Sequence, residues 1–289
     1  MDYRKKFLVE PGARTKLNKI DPDYQGKHLS RKLAESAIEK HCGKLKSLQE
    51  TLYAEKKHAL LVVVQALDAG GKDGTINHVM GVLNPQGTKV TSFKQPNVQE
   101  LAHDFLWRVH AHAPARGWIG VFNRSHYEDV LVTRVHGLAP EKVCAERYEN
   151  INDFERLLRK QNDTHIVKFF LHISHHEQLR RFSERLDDPA RNWKISDSDY
   201  KEREFWDDYM SAYEEVFEKT SKKNSPWYII PSNHKWFRNL AVSQILTATM
   251  QDLGMEMPKP TVDLEAIRER YHQAAEAAPD AGKHQAKKR

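Results

Sequence analysis

Apolar residues divide the first third of the chain into a helix, a strand and a second helix. Leucines recur at helical spacing behind Ser30, a residue type that caps helix N-termini, which predicts one long helix over 30–57. The run at 59–67 is apolar at almost every position, as is typical of a strand buried on both faces of a parallel sheet. After a glycine-containing turn, apolar residues return at the spacing of one helix face: Ile76, Val79, Met80 and Leu83.

The same alternation of strand and helix patterns continues to about residue 253. Further strands are predicted at 88–93, 118–122, 166–173 and 227–231, and further helices at 97–112, from Pro140 to Leu158, after Ser174, after Ser196 and over 234–253. In the first of these helices, Leu101, Phe105 and Val109 are expected to face inward. Both serines are followed three residues later by an acid, the spacing of a capping box. Five strands alternating with helices predict an α/β fold with a parallel sheet.

The composition is that of a folded protein with a charged surface. Of 289 residues, 39% are hydrophobic, and six Trp, ten Tyr and eleven Phe supply bulk for a core. Lys and Arg number 46 against 40 Asp and Glu, so the formal net charge is +6. Half of this excess lies at 279–289, a tail that lacks an apolar face and is predicted to be disordered. We interpret the tail as solvated rather than as a nucleic-acid contact, and expect no nucleic-acid partner.

The cysteine content and the apolar runs bear on the cellular compartment. Cys42 and Cys144 lie far apart in the sequence, which indicates neither a disulfide framework nor a zinc site and fits a reducing compartment. The apolar run near the N-terminus is too short for a signal peptide, and no stretch approaches the roughly 20 apolar residues of a membrane span. We therefore expect a soluble, cytoplasmic protein with no membrane partner.

The segment between the buried strand and the second helix carries the strongest chemical signal. Its sequence at 67–75, LDAGGKDGT, combines small residues, a helix N-terminus and a lysine, the three features that a phosphate-binding loop requires. The candidate phosphate-binding residues are Ala69, Gly70, Gly71, Lys72, Asp73, Gly74 and Thr75. The usual pattern is broken where Ala66 replaces the first glycine and Asp73 replaces the Ser or Thr that holds magnesium. The alternative is an ordinary strand-to-helix turn whose Asp caps the helix.

Asp68 lies inside this candidate loop. A carboxylate in that position would repel phosphates unless a divalent cation lay between the two groups. Asp68 is therefore a candidate metal ligand.

A second polar cluster, FNRSHYED at 122–129, begins where the strand at 118–122 ends. In open α/β sheets ligands bind at the carboxyl ends of the strands, so this cluster is expected beside the loop at 68–75. An arginine and two acids in that place indicate metal or nucleotide contacts, and a surface loop with local ion pairs is the alternative. Ser125 and His126 are neighbours in the chain and are not expected to act as a nucleophile pair.

A third cluster, the basic segment at 180–194, lies between the fourth and fifth predicted strands, where phosphate-loop kinases carry a mobile lid. From 177 to 204 the chain has seven basic and eight acidic side chains, so the region is not a net positive patch. If it binds an anion, it does so through individually placed arginines. A solvated helical face is the alternative.

Together these clusters resemble the family-2 polyphosphate kinases. The matching segments, in chain order, are 68–72 (DAGGK), 123–127 (NRSHY), 134–137 (RVHG), 185–194 (RLDDPARNWK) and 225–228 (SPWY). The resemblance covers roughly residues 26–252, and the C-terminal residues lie outside it.

The resemblance implies a P-loop kinase fold of the thymidylate-kinase type, a three-layer α/β/α sandwich with a five-stranded parallel sheet. One phosphotransferase domain would span 1–289, with a helical N-terminal extension at 1–57 and a helical lid at about 175–220. The implied reaction is a reversible, Mg²⁺-dependent transfer of the terminal phosphoryl group of inorganic polyphosphate to AMP or ADP, with Mn²⁺ as a possible substitute. The implied partners are polyphosphate, adenine or guanine nucleotides and further copies of the chain, in a dimer or tetramer.

The resemblance also implies residue roles. Asp68 and an acid of the second cluster would hold the metal. Phosphates would be contacted by the loop residues and by Arg134, Arg181, Arg185, Arg191 and Lys194. Asn123 stands where many members have Asp, which leaves Asp129 as the expected second metal ligand.

Asn123 combined with Glu128-Asp129 resembles the class III subgroup, which accepts AMP as well as ADP. Nucleotide binding is then expected from Asn123, Arg124, Tyr127 and Glu128, and the catalytic residues would be Asp68, Lys72, Arg124 and Asp129. Two other function classes share the loop chemistry: a P-loop kinase that takes ATP as donor, and a non-catalytic protein that binds nucleotide or polyphosphate.

Overall fold

The computed structural model describes residues 2–26 and 30–277, and the predicted disordered tail at 279–289 lies outside these ranges. Five strands form one sheet: β1 (Ala59–Gln65), β2 (Thr88–Ser92), β3 (Ile119–Asn123), β4 (Thr164–His172) and β5 (Trp227–Pro231). The strand order is β2-β3-β1-β4-β5, and every pairing is parallel. The five-stranded parallel sheet is therefore confirmed, with β1 at its centre.

Helices occupy most of the remaining chain. They are α1 (Tyr3–Phe7), α2 (Arg31–Glu55), α3 (Lys72–Thr75), α4 (Val98–Leu101), α5 (Trp107–His110), α6 (Glu128–Val135), α7 (Glu141–Asn162), α8 (His175–Asp187), α9 (Asp197–Glu204), α10 (Trp206–Thr220), α11 (Lys235–Gln251) and α12 (Leu264–Ala277). Short 3-10 turns cover Leu17–Lys19, Pro85–Gly87 and Asn192–Lys194, and a π-helical turn over Ile76–Met80 continues α3.

Apolar residues on both faces of the central strand build two cores. Leu60, Val62 and Val64 of β1 pack with α1, α2 and α11 on one face. Leu61 and Val63 pack with α6, α7 and α10 on the other face. Since successive strand residues point to opposite faces, the uninterrupted apolar run in β1 is what both helical layers require. The three-layer α/β/α sandwich is confirmed.

Three predicted helix starts are found at their capping residues. Ser30 Oγ accepts a hydrogen bond from Leu33 N at 3.3 Å, and Ser174 Oγ accepts one from Glu177 N at 3.1 Å. At the start of α9, the Asp199 carboxylate accepts from the Ser196 backbone N–H at 2.8 Å. The first two bonds pair N–H groups that the first turn of a helix otherwise leaves unpaired, and the third holds the capping residue Ser196 in place.

The predicted helix over 97–112 is wrong in its continuity. The structure has two short helices there, α4 and α5, and Leu101 is 69% exposed rather than inward. Asp104 Oδ1 accepts a hydrogen bond from Leu106 N at 2.9 Å, which stabilises a turn in competition with helical pairing. Val109, in the second piece, is completely buried as predicted.

Two further differences concern helix boundaries. The first is α6, a helix that the periodicity did not predict. It begins at Glu128, inside the polar cluster at 122–129, and its first buried residues are Val130 and Leu131. The helix expected after Ser196 is divided into α9 and α10 at Phe205.

The chain divides into two units, 1–256 and 257–289. The first contains the sheet and its two helical layers, and the described part of the second contains α12. A single domain over 1–289 stays a prediction. Among the helices in the described ranges, none combines the length and the apolar composition that crossing a membrane requires.

Candidate active site

Two of the three sequence clusters meet at the carboxyl edge of the sheet. β1 ends at Gln65 and β3 at Asn123, and these two strands are paired in register, with Val64 opposite Asn123. The loop that follows β1 and the turn that follows β3 therefore emerge side by side. This position is the one at which parallel α/β sheets bind ligands.

The candidate phosphate loop has backbone conformations that small residues favour. Gly71 has φ +99° and Ala69 has φ +57°, both in the left-handed region. A Cβ at Gly70 would lie 2.4 Å from the Cβ of Ala66, so the chain closes tightly on itself there. These features explain the small residues of the segment 69–71, and Gly71 forms the N-cap of α3.

Lys72 turns its amine back onto the loop. Its Nζ donates to Ala66 O at 2.7 Å and to Leu67 O at 3.3 Å. Burial and the neighbouring Arg124 guanidinium lower the pKa of Lys72 to about 8, against the opposing influence of Asp68. An ammonium so placed at the start of a helix is suited to meeting a phosphate.

Arg124 joins the loop to the second cluster. Its Nη2 donates to Asp68 Oδ1 at 2.9 Å, and its Nη1 donates to Glu128 Oε2 at 3.1 Å. Arg124 has φ +60°, an unusual conformation for a non-glycine residue that is typical of functional sites. The charge of Glu128 is the main reason that the pKa of Arg124 is raised, and Asp68 adds to it while burial opposes it. The structure thus brings three predicted site residues into direct contact.

Asp73 connects the loop to two other predicted residues. Asn123 Nδ2 donates to Asp73 Oδ1 at 2.8 Å, and Lys194 Nζ lies 3.3 Å from Asp73 Oδ2. Burial acts to raise the pKa of Asp73, but the hydrogen bonds from Asn123 and Lys194 outweigh it and lower that pKa. Lys194 comes from the predicted lid, so lid and loop are in contact.

A cleft of about 260 Å³ opens beside Asp68. Its polar and aromatic lining comes from the loop, the second cluster and the segment predicted as a lid: Asp68, Arg124, Glu128, Gln178, Ser198, Glu202, Trp206, Tyr209 and Tyr213. Gln178 Nε2 also donates to Asp68 O at 3.0 Å. The helices at 175–220 therefore form one wall of the cleft, and their movement as a lid stays a prediction.

The predicted phosphate-binding arginines are placed differently from one another. Arg181 is 5% exposed and donates to Ala69 O at 2.8 Å and to Glu177 Oε1 at 2.7 Å, so it lies beneath the loop. Arg185 donates to Lys194 O at 3.0 Å and lies within the lid.

The remaining two arginines pair with acids in this structure. Arg191 Nε lies 2.9 Å from Asp188 Oδ2, in the lid segment. Arg134 pairs with Glu141 at 3.0 Å and with Glu215, away from the cleft lining. Phosphate binding by these side chains stays a prediction.

Tyr127, which was predicted to bind the nucleotide, lies in the core of this structure, and that contact stays a prediction. Tyr127 is completely buried, as is Lys168 of β4. Its hydroxyl donates to Glu155 Oε1 at 2.8 Å and accepts from Lys168 Nζ at 2.9 Å, while Lys168 lies 2.7 Å from Glu155 Oε2. His126, also fully buried, lies 3.4 Å from Glu155. These motif residues anchor the start of α6 in the core, because each satisfies buried polar groups.

The structure also separates the two adjacent acids of the second cluster. Glu128 lines the cleft, whereas Asp129 is absent from its lining and lies 4.0 Å from Arg147 Nη1. Burial raises the pKa of Asp129 to about 6, with Arg147 and Arg108 opposing. The acid that shares a partner with Asp68 in this structure is Glu128, and a metal-binding role of Asp129 stays a prediction.

Sequence reasoning missed one charged residue at the loop. Arg238 of α11 is 2% exposed, and its Nη1 lies 2.0 Å from the position that a Cβ on Gly71 would occupy. Burial, together with the nearby Arg181, lowers the pKa of Arg238 to about 9. Its sequence signal is a charged residue between Phe237 and Leu240 in a helix expected to pack against the core.

Comparison with known proteins decides the family. The family model described as Polyphosphate kinase 2 matches residues 28–258, and so includes the phosphate loop, the second cluster and the lid segment. The chain belongs to the polyphosphate kinase 2 family. The resemblance inferred from the five motifs is thereby confirmed.

Polyphosphate kinase 2 relatives match almost the whole chain. The AMP/ADP-polyphosphate phosphotransferase of Meiothermus ruber is 48% identical over 267 residues, covering 91% of this chain and 98% of the relative. The ADP-polyphosphate phosphotransferase of Rhodopseudomonas palustris is 45% identical, covering 89% and 93%. The crystal structure of polyphosphate kinase 2 from Arthrobacter aurescens superimposes with a TM-score of 0.91 at 41% identity, covering 94% of this chain and 97% of that one.

Proposed function

We propose that this protein is a polyphosphate:AMP/ADP phosphotransferase, which transfers the terminal phosphoryl group of inorganic polyphosphate to AMP or ADP and catalyses the reverse reaction. The observation that carries the proposal is the meeting of Asp68, Arg124 and Glu128 beside the phosphate loop at the carboxyl edge of the sheet. The name of the Meiothermus ruber relative, 48% identical, supports both acceptors.

The reaction needs alignment and charge neutralisation more than a protein nucleophile. A phosphate oxygen of the nucleotide forms a bond to the terminal phosphorus, and the bond from that phosphorus to the bridging oxygen breaks, leaving polyphosphate one unit shorter. Because the transition state is loose, the catalytic groups position the reactants and stabilise negative charge. Lys72 and Arg124 supply positive charge at the loop, and the aromatic wall formed by Trp206, Tyr209 and Tyr213 limits access of water.

The donor set fits a divalent cation. Asp68 and Glu128 both pair with the guanidinium of Arg124, and both carboxylates line the cleft. Carboxylate oxygens are hard ligands that suit Mg²⁺, with Mn²⁺ as a substitute. We assign Asp68 as the principal metal ligand and Glu128 as the neighbouring acid, in place of Asp129. The ion, when bound, neutralises phosphate charge and polarises the transferred group.

Acceptor choice is proposed to depend on the second cluster. Glu128 lines the cleft beside Arg124, and residues of the predicted lid form another part of its wall. Asn123 precedes Arg124 in the chain and donates to Asp73 of the loop. An AMP-accepting, class III activity is supported by the AMP/ADP name of the Meiothermus ruber relative. A relative from Mycolicibacterium smegmatis, 36% identical over 178 residues, is named a GDP-polyphosphate phosphotransferase, so guanine nucleotides belong in the substrate panel. A dimer or tetramer stays a prediction.

The test is to incubate the protein with AMP or ADP, Mg²⁺ and polyphosphate in the absence of ATP, and to repeat it with GMP and GDP. A nucleotide with one additional phosphate is expected to form only when polyphosphate is present. Product that requires ATP instead would indicate an ATP-dependent kinase, and polyphosphate binding without turnover would indicate a sensor.

A pair of variants tests the metal role. Asp68→Asn is expected to abolish transfer while the fold is retained, because it removes the principal ligand. Asp153→Asn, at an exposed acid paired with Arg156, is the matched control and should keep full activity. Robust transfer by Asp68→Asn at ordinary Mg²⁺ would contradict the assignment.

A further inference from the structure

A group of metal-binding side chains lies at the amino edge of the sheet, opposite to the phosphate loop. His58 immediately precedes β1, Asp163 is the C-cap of α7, and His165 is the second residue of β4. One ligand atom from each of the three lies within 4.8 Å of the others. The proposed phosphotransfer reaction uses none of them, because the carboxyl edge holds its residues.

The distances are close to those of a coordinated ion. His58 Nδ1 lies 2.5 Å from Asp163 Oδ2, and His165 Nε2 lies 3.8 Å from Asp163 Oδ1. Ligand bonds of about 2.0–2.1 Å in a tetrahedral Zn²⁺ site separate two ligand atoms by about 3.3 Å. Since the three ligand atoms lie within 4.8 Å of one another, side-chain movements of up to about 1 Å would produce this geometry.

A buried acid on α2 supplies an independent sign of a ligand. The Glu55 side chain is 2% exposed, and its Oε1 has no hydrogen-bond partner within the described residues. That oxygen lies 3.6 Å from His58 Nε2. If His58 Nδ1 binds a metal, Nε2 carries the proton and donates it toward Glu55, which is the usual carboxylate–histidine–metal arrangement. Metal binding would thus supply a hydrogen bond to a buried oxygen that has none within the described residues.

Two features of the surroundings affect binding. Arg159 forms an ion pair with Asp163 and must move aside for a cation to bind. His165 Nε2 lies 3.8 Å from Asp163 Oδ1, on the same side of the cluster as Arg159. The three side chains are 21%, 37% and 23% exposed, which leaves room for water as a fourth ligand.

We propose that His58, Asp163 and His165 form a second metal site, selective for Zn²⁺ or a similar transition metal, with Glu55 orienting His58. Imidazole nitrogens favour such ions over Mg²⁺. The bound ion would tie the start of β1 to the α7–β4 turn and so stabilise the amino edge of the sheet.

The test uses the full chain after treatment with a chelator. Titration with Co²⁺ should produce the visible absorption of a four-coordinate site at one ion per chain, and Zn²⁺ but not Mg²⁺ should abolish it. His165→Gln and Asp163→Asn should weaken binding at least tenfold, and Glu55→Gln about tenfold. Arg159→Gln should strengthen binding because the competing cation is removed. His176→Gln, at an exposed histidine of α8, is the control and should bind as the wild type does.

Thermal unfolding provides a readout independent of the spectrum. Zn²⁺ should raise the unfolding temperature of the wild type and of His176→Gln but not of His165→Gln, because only binding to the folded state stabilises it. Circular dichroism without metal checks that each variant folds. If Asp163→Asn does not fold, the test relies on His165→Gln, because His165 is partly exposed and its replacement disturbs the fold less. Wild-type affinity in His165→Gln, weaker binding in Arg159→Gln, or no four-coordinate spectrum would overturn the proposal.

Discussion

Replacing Lys168 by Met tests whether the second motif is anchored in the core by a buried ion pair. Lys168 and Glu155 are 0% and 1% exposed and lie 2.7 Å apart. The substitution keeps most of the side-chain volume but removes the cation, leaving the Glu155 carboxylate with Tyr127 and His126. Breaking a buried pair in this way costs about 3–5 kcal/mol.

The pKa of Glu155 is shifted in the direction that a stabilising partner produces. Burial alone would raise it, but Lys168 and His126 lower it from 4.5 to about 2. The partners of Glu155 therefore stabilise its carboxylate form in the folded state, while burial lowers the pKa of Lys168 in the same pair. Because the folded-state pKa is depressed, this contribution is complete above pH 4.5 and decreases as the pH falls toward 2. Lys168→Met should remove most of it.

The assay is urea unfolding at pH 7 followed by tryptophan fluorescence, since the ring of Trp227 lies 4.8 Å from that of Tyr127. The free energy of unfolding should fall by about 3–5 kcal/mol with an unchanged dependence on urea. The double variant Lys168→Met/Glu155→Gln should be more stable than Lys168→Met, because no unpaired charge remains. Lys219→Met, at an exposed lysine, is the control. A loss no larger than that of the control would refute the reasoning.

Three further results are expected from steady-state kinetics with polyphosphate. Gly71→Ala should lower kcat/KM at least tenfold, because its Cβ would lie 2.0 Å from the buried guanidinium of Arg238. The control is Gly12→Ala, which also has a positive φ but has open space around its Cβ, and it should keep its activity. Equal effects of the two variants would show that the clash with Arg238 is not responsible. Glu128→Gln should reduce activity at least tenfold and Asp129→Asn less than threefold. A larger loss in Asp129→Asn would support the original prediction that Asp129 is the second metal ligand. The kcat/KM should decline above pH 8 as Lys72 loses its proton, and a flat profile to pH 10 would contradict this assignment.

Local sequence patterns were sufficient for the sheet. Each strand is a short apolar or β-branched run flanked by helix signals, and β1 could be recognised because burial on both faces leaves no polar alternation. The helix over 97–112 could not be predicted correctly from periodicity, since the apolar spacing continues through Asp104 while the side chain of that residue stabilises a turn. Competition between a side chain and the backbone leaves little trace in hydrophobic pattern.

The candidate site was predictable where residues act through the backbone or at strand ends. The loop glycines, Asp68 and Arg124 could be identified as candidate site residues on this basis. The role of Tyr127 could not be predicted, because its partners Glu155 and Lys168 lie in different elements and meet only in the folded core. Arg238 was missed for the same reason, since its proximity to Gly71 depends on how α11 packs.

The guanidinium groups under Gly71 have a thermodynamic consequence. Arg181 and Arg238 lie 3.5 Å and 2.0 Å from the position of a Cβ on that glycine, and Arg238 donates two hydrogen bonds to the neutral amide oxygen of Asn239. Two guanidinium groups are therefore held close together beneath the loop, and an anion bound at the loop would relieve their repulsion. Binding and folding are linked through this repulsion, so we expect the chain to be least resistant to heat and proteolysis when polyphosphate and nucleotides are scarce, and to gain stability as they accumulate.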